Sequence, residues 1–503
     1  MSPPPSLPGS DDTIVALATP AGRSAVAVLR LSGPAAYDVA GRVLRPWPLP
    51  ARVARLCALR DPNTGELVDR PLVTRFEPGR SYTGEASVEI ATHGGHAAPA
   101  AALAAVVAAG AREALPGEFT RRAVLNGKLD VVQAEAVGDL IDARSQLMRR
   151  AALAQLDGGL SRRVARLREE LLGLEALLAY DIDFPEEDDG PVPRGRVTEA
   201  CGLALGALDA LLATAPAGEL VREGAVVVIA GAPNAGKSSL FNALVGRSRA
   251  IVTDVPGTTR DAIEAVVDAG GWPLRLVDTA GLRATDDVVE RLGIEVSERY
   301  LAGAHLVLAC GESSAAVDEC VRRVRALTAA PVIPVRTKAD RDEGRAARDE
   351  GCGEESSARG APPEIHDATA SGAERHHAVA RGIDSSRSAS SSLAVRPSPL
   401  SVSAETGEGL RALTAAAVEA LASRYGAPSA DVPLVTRARH RRALAEARGE
   451  MAAFRDAWTS GALPPVVAAV HVRSAVAALE ELIGAVDVED VLDRVFSTFC
   501  VGK

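Results

Sequence analysis

The sequence predicts an α/β protein in which a P-loop α/β domain is inserted into a helical domain and preceded by a small α/β domain. Three observations predict it. At Ala225 the pattern changes to Ala-Val-Val-Val-Ile-Ala, a buried strand, after which strands alternate with helices as in a parallel sheet. Helical periodicity flanks that stretch, from Val131 to about Ala217 and again from Val435 to the C-terminus. Residues 12 to about 128 instead mix short apolar alternations with one alanine-rich helical run. A chain of 503 residues has room for roughly three domains at ~150 residues each. The boundaries read as 1–128 for the N-terminal domain, 129–222 and 429–503 for two helical segments, and 223–428 for the inserted domain.

Taken in order, strands are expected at Ile14 to Leu17, Ala25 to Leu31 and Ser87 to Ala91, with a helix from Ala97 to Ala109. Leu167, Leu171, Leu174 and Leu178 recur at three- and four-residue spacing and form one face of a helix. The acidic stretch from Asp181 to Gly190 interrupts this pattern; it reads as a solvated interhelical loop, with cation binding as the other reading. In the inserted domain, strands follow at Leu274 to Val277, His305 to Ala309, Val332 to Val335 and Leu400 to Val402. Residues 341–396, rich in Gly, Ser, Arg and Glu, have too little apolar content to pack and read as a disordered insertion.

Composition narrows the function classes. Hydrophobic residues at 47% and charged residues at 24% exclude a fibrous or wholly disordered chain. Six cysteines without a C-x-x-C pair, and eight histidines without H-E-x-x-H, indicate neither a disulfide framework nor a zinc site. The longest apolar run, from Ala97 into Ala111, falls short of the ~20 residues a bilayer needs. The opening Met1-Ser-Pro-Pro-Pro lacks the regions of a signal peptide, so a cytoplasmic protein without a membrane segment is expected. A net charge of -10 argues against coating nucleic acid by bulk electrostatics, while a local basic patch can still dock one RNA. Only four basic residues are lysine, Lys128, Lys237, Lys338 and Lys503, against 52 arginines. A lysine kept in such a sequence points to a place where a compact point charge is needed and a planar fork does not fit.

Gly231-Ala-Pro-Asn-Ala-Gly-Lys237-Ser238 matches G-x-x-x-x-G-K-[ST] directly after a strand and before a helix, the context this motif requires. The backbone of Asn234, Ala235 and Gly236 can hold phosphate oxygens, Lys237 can reach the β and γ phosphates, and the hydroxyl of Ser238, ahead of Ser239, can ligate Mg2+. Asp278-Thr279-Ala280-Gly281 ends the next strand and can hold the magnesium shell and sense the γ phosphate. Thr337-Lys338-Ala339-Asp340 follows a further strand; its carboxylate can pair with the N1-H and 2-amino donors that guanine has and adenine lacks. Thr337 stands where most such motifs have asparagine, a departure expected to weaken one loop contact. Ser403-Ala404-Glu405 resembles the element whose backbone contacts guanine O6. Four elements in order, each after a strand, make the inserted domain a P-loop GTPase G domain.

Two details describe the kind of GTPase. Leu282, after Asp-Thr-Ala-Gly, cannot orient an attacking water as a glutamine does, so another group must. Glu290 is a candidate for that role, with a surface helix glutamate as the other reading. Asn234, one of only four asparagines, can face a monovalent cation placed where an arginine finger would otherwise act.

Read together, the motifs resemble the bacterial and organellar family of tRNA-modification GTPases called MnmE or TrmE. The resemblance rests on Asp12-Thr-Ile-Val-Ala16, Ser81-Tyr-Thr-Gly-Glu85, Pro116-Gly-Glu-Phe-Thr120, Asn126-Gly-Lys-Leu-Asp130, Asp254-Val-Pro-Gly-Thr-Thr-Arg-Asp261 and the terminal Phe499-Cys-Val-Gly-Lys503. It implies a folate-binding N-terminal domain that forms a homodimer, and a G domain that hydrolyses GTP when K+ drives G domain pairing. The implied K+ ligands are Asn234, Thr253, Val255 and Thr258; the implied Mg2+ ligands are Ser238 and Thr259, and Asp254, Pro256 and Gly257 complete the nucleotide loop. The resemblance implies Glu290 as the water-positioning group, and Arg30, Glu89, Lys128 and Lys503 around a reduced folate, 5-formyl- or 5,10-methylene-tetrahydrofolate. It further implies an FAD-dependent partner, MnmG (GidA), in a heterotetramer that places an aminomethyl or carboxymethylaminomethyl group on C5 of the wobble uridine of tRNA. Cys500 is carried over as required for that modification, with a buried tail cysteine as the other reading. A ribosome-assembly GTPase is the alternative, since its G motifs look alike, although such proteins usually append a basic RNA-binding module.

Overall fold

The structure, a computed structural model, describes residues 12–183, 194–247, 263–270, 272–278, 300–341, 398–427, 433–461, 464–484, 499 and 502. The described chain opens with β1 (Ile14–Leu17), β2 (Gly22–Ser32), α1 (Ala36–Val43), β3 (Leu44–Arg45), β4 (Arg55–Leu56), β5 (Ala58–Arg60), β6 (Leu67–Asp69), β7 (Leu72–Phe76), β8 (Ser87–Gly95), α2 (Ala97–Ala108), β9 (Arg112–Glu113) and α3 (Glu118–Leu125). There follow α4 (Val131–Asp142), α5 (Gln146–Leu156), α6 (Gly159–Asp183), α7 (Arg194–Leu212), α8 (Ala215–Glu223), β10 (Ala225–Gly231), α9 (Lys237–Arg247), β11 (Ile263–Ala269), β12 (Trp272–Asp278) and β13 (Leu306–Gly311). The last elements are α10 (Ser314–Arg325), β14 (Val332–Arg336), β15 (Leu400–Ser401), α11 (Leu410–Tyr425), α12 (Ala438–Ser460) and α13 (Pro465–Ile483). Contacts divide the chain into two compact units: residues 1–225, 266–275 and 418–503 form one, and 226–265 and 276–417 the other.

In the first unit a six-stranded sheet runs β4-β7-β8-β2-β1-β9. Register places Ala16 opposite Arg30, Arg30 opposite Glu89, and Glu89 opposite Thr74, so these four share one face. The other face carries Val15, Leu29, Leu31, Val88 and Ile90, all buried against α1 and α2. Ile14, Ala16 and Phe119 form a smaller cluster with Tyr82 on the Arg30 face. Strand β2 begins at Gly22, ahead of the expected Ala25, through pairing of Gly22 with Gly95 of β8; Arg23 to Val26 are all exposed, so no apolar alternation marks the extension.

One apolar core joins the two helical segments: Leu167, Leu171 and Leu174 of α6 and Leu208 of α7 pack with Phe454 of α12 and Leu479 of α13. The stretch Arg194–Glu223 is long and apolar enough to cross a membrane by length and composition alone. Its apolar side is committed elsewhere, since Val197, Cys201, Leu205 and Leu208 lie in this core. Helix α6 extends to Asp183 and takes in the start of the acidic stretch; the remainder of that stretch, and residues 342–396 of the insertion, lie outside the described residues.

A buried charge cluster also ties α4 to α12. Glu135, 2% exposed, accepts bonds from Arg439 at 3.1 and 3.2 Å and from His440 Nε2 at 2.6 Å. Asp139, one turn along α4, accepts from Arg437 at 2.7 Å and Arg222 at 3.0 Å. Burial raises the Glu135 pKa, but the His440 bond and the charges of Arg439 and Arg437 override it and hold the carboxyl at about 2. Burial lowers the pKa of His440, whose Nδ1 is buried without a hydrogen-bond partner among the described residues. The ring is therefore neutral with its proton on Nε2, because protonation would bury a bare N–H.

Glu135 titrates lower in the folded chain than unfolded, where it stands near 4.5. Its contribution, of order 3 kcal/mol, is complete above that pH and lost as pH falls toward 2. Glu135→Ala removes the buried carboxylate that Arg439 and His440 share, while Arg437 keeps Asp139. A loss of about 3–5 kcal/mol in urea unfolding at neutral pH is expected, with a flatter acid limb; a loss under ~1 kcal/mol would show the cluster to be energetically idle.

The second six-stranded sheet runs β11-β12-β10-β13-β14-β15. Strands β10, β13, β14 and β15 are parallel, so Gly231, Gly311, Arg336 and Ser401 end along one edge. The crevice beyond such carboxyl ends is where open α/β sheets take their ligands.

Candidate functional site

The loop after β10 turns into α9 at Lys237, so that Lys237 and Ser238 occupy the first helical turn. Their position gives the loop a helix N-terminus whose unpaired N–H groups favour anions. Asn234 has φ +62, a left-handed conformation that asparagine tolerates better than most residues. Lys237 is 7% exposed, and its ammonium donates to the carbonyls of Gly231 at 3.0 Å and Ala232 at 2.8 Å. A buried ammonium at the turn from such a loop into a helix is a ready partner for a phosphate oxygen. Asp278 ends β12 with 2% exposure.

The loop after β14 is bonded to this phosphate loop. Thr337, buried, donates its hydroxyl toward the carbonyls of Ala235 at 2.9 Å and Gly311 at 3.2 Å. The threonine therefore ties the two loops together. Lys338, at φ +59, donates to the Asn234 carbonyl at 3.0 Å and pairs with Glu312, a residue the sequence did not single out. Asp340 Oδ1 accepts from Ser403 Oγ at 2.6 Å, and Ser403 Oγ also accepts the Thr406 N–H at 3.1 Å. The Ser403 bond holds the Asp340 carboxyl below the usual carboxylate range, so the group is an ionised acceptor at neutral pH. Gly236, Ser239, Lys338, Asp340, Ala404 and Glu405 line one pocket, and the backbone of Ala339 donates to Val402 at 3.3 Å beneath it.

The N-terminal residues form a second group. Arg30 donates from Nε and Nη2 to Glu89 Oε1 at 3.2 and 2.9 Å. Lys128 is exposed and donates to the Gly79 carbonyl at 3.0 Å. From the C-terminal tail two residues are described, and both are seated in the first unit. Phe499 lies over Gly138, where a Cβ would come within 3.3 Å of its ring. Gly502 is buried beneath β1, and a Cβ there would meet the Leu17 carbonyl oxygen at 2.3 Å. The tail thus meets the strand next to Arg30.

Thr253, Asp254, Val255, Pro256, Gly257, Thr258, Thr259, Thr279, Ala280, Gly281, Glu290, Cys500 and Lys503 lie outside the described residues. Sequence reading assigned no role to Tyr82 and Phe119, whose rings lie beside the Arg30 guanidinium, or to Thr120, which bonds Tyr82. They sit inside quoted motifs, but their meeting depends on the fold.

The family model for the MnmE helical domain matches residues 131–500, and that for the GTP-binding protein TrmE N-terminus matches residues 13–128. The chain is 39% identical to the tRNA modification GTPase MnmE of Moorella thermoacetica, over 98% of this chain and 100% of the relative. It is 41% identical to the protein of that name from Methylorubrum populi, over 99% of each. Identity to that of Aquifex aeolicus is 36%, over 98% of this chain and 100% of the relative.

Proposed function

This chain belongs to the MnmE family of tRNA modification GTPases, and from that premise we propose how its residues divide the work. It is a GTP hydrolase acting in tRNA modification, with Mg2+ as the metal of its nucleotide. The phosphate loop from Asn234 to Ser239 binds the phosphates, Lys237 neutralises the β and γ oxygens, and Asp278 to Gly281 senses the γ phosphate. Asp340 reads guanine, flanked by Thr337, Lys338 and Ala339 below and Ser403, Ala404 and Glu405 beside it. The observation that carries this reading is the pair of bonds from Thr337 to Ala235 and from Lys338 to Asn234, which put base reader and phosphate cradle on one scaffold.

The hydroxyl of Ser238 and the buried carboxylate of Asp278 are hard oxygen donors that suit Mg2+, which Thr259 would complete. K+ would be held by Asn234 with Thr253, Val255 and Thr258, where it supplies positive charge beside the phosphates; the left-handed turn at Asn234 supports this assignment. Glu290 positions the attacking water. Exchange of K+ for Na+ is expected to lower kcat roughly tenfold or more with little change in nucleotide affinity; equal single-turnover rates in the two salts would overturn the K+ assignment.

The one-carbon half of the reaction belongs to the N-terminal domain. A reduced folate, 5-formyl- or 5,10-methylene-tetrahydrofolate, is held by Arg30, Glu89, Lys128 and Lys503, and supplies the carbon for C5 of the wobble uridine, with Cys500 taking part. The residues present fit such a ligand: Glu89 Oε2 makes no hydrogen bond among the described residues, and a carboxylate can accept from an amino-pyrimidine edge. The seating of Gly502 on Leu17 supports the tail's share, since Ala16 is the cross-strand neighbour of Arg30. The working assembly is a homodimer joined through N-terminal domains, bound to the FAD-dependent MnmG partner and to tRNA in the cytoplasm. Family membership supports this part of the reading, and matches across both domains leave the ribosome-assembly alternative without support.

A further inference from the structure

We propose that Tyr82 is a positioning residue of the one-carbon site: with Thr120 and Phe119 it holds Arg30 against Glu89, so that Arg30 aims a carboxylate at the pterin edge and leaves the anionic glutamyl tail to lysine. The inference rests on the folate reading above and adds a division of labour to it.

Arg30 is enclosed. Two of its nitrogens are spent on a single oxygen of Glu89, its guanidinium lies 4.9 Å from the Tyr82 ring centroid and 5.9 Å from that of Phe119, and its side chain is 16% exposed. A guanidinium stacked and bonded in this way has lost most of the surface a tail carboxylate would approach, while its charge still orients Glu89. Glu89 is more open, at 33%.

Tyr82 is itself fixed from behind. Its hydroxyl meets Thr120 Oγ1 at 2.8 Å, and Thr120 and Phe119 are fully buried on α3. The loop that carries it is closed by Gly79 N–H to the Gly84 carbonyl at 2.7 Å and Ser81 Oγ to the Glu85 carbonyl at 2.6 Å. Asn126 Nδ2 adds a bond to the Thr83 carbonyl at 2.8 Å. Two residues on, Lys128 stands exposed with its ammonium on one neutral carbonyl, the arrangement of a charge available to an anion.

Two ligands separate the roles in the full-length protein: 5-formyltetrahydrofolate, and a 5-formyltetrahydropterin that lacks the glutamyl tail. Tyr82→Leu is expected to weaken both by the same factor, about tenfold, while Lys128→Gln weakens the tailed ligand alone. Tyr82→Phe keeps the ring under Arg30, loses only the Thr120 bond, and is expected to restore most of the affinity, with both ligands affected alike. It also serves as the readout if the leucine variant melts early. Overturning results are a Tyr82 variant that affects only the tailed ligand, or neither, at unchanged melting temperature. Wild-type protein that binds neither ligand defeats the folate reading itself, and this inference with it.

Discussion

Asp340→Asn is expected to invert nucleotide preference, so that xanthosine triphosphate is hydrolysed in place of GTP. Ser403 holds the native carboxylate as an ionised acceptor, and guanine presents two N–H donors to it. An amide in its place sets a donor against one of them, and an unpaired base donor of this kind costs about 10³ or more in kcat/KM. Xanthine, with a carbonyl where guanine has its amino group, accepts from the amide instead. Competition between the two nucleotides in one assay reads the ratio directly, and an unchanged preference for GTP would remove Asp340 as the base reader. The Ser403 bond adds a condition: Ser403→Ala is expected to lower GTP affinity by a smaller factor without inverting preference, because the acceptor remains and only its aim is loosened.

Removal of Cys500 to Lys503 is expected to abolish wobble-uridine modification and weaken reduced-folate binding while GTP hydrolysis continues. The tail meets β1 at Leu17 through Gly502, next to the row that holds Arg30 and Glu89, and the phosphate loop belongs to the other compact unit. Mass spectrometry of tRNA from cells carrying the truncated protein, set beside GTP turnover of the purified protein, checks both halves. Modification at the wild-type level would exclude the tail from the one-carbon site, and a parallel loss of GTP turnover would mean that the tail supports the fold as a whole. Gly502→Ala tests the same seat with one methyl group, which would come within 2.3 Å of the Leu17 carbonyl oxygen.

The phosphate loop was legible because its chemistry is local. Eight consecutive residues between a strand and a helix leave few conformations, and the backbone itself supplies most of the donors. The helical segments were legible from leucine spacing for a similar reason, since the period reports burial directly. Several N-terminal strands carried no such signal: β3, β4 and β9 are two residues long, too short for any alternation. Glu135 and His440 were also invisible. Charged residues read as solvated until a fold brings three basic partners to one carboxylate 304 or so positions away.

By itself, then, the sequence determined the nucleotide chemistry, the GTPase class and the family, all of which reside in contiguous motifs whose geometry follows from covalent spacing. Only the tertiary structure decided which of those motifs touch and what each side chain has left to offer. Thr337 reaches the phosphate loop across 102 residues, and Arg30 reaches Glu89 across 59. The second of these meetings depends on the register of β2 against β8, where a slip of one residue would turn every side chain of the strand to the opposite face. Spacing along a chain cannot encode such a register. It follows from which face buries Leu29 and Leu31 against the helices, and that burial leaves Arg30, between them in sequence, on the face where Tyr82, Phe119 and Glu89 meet it.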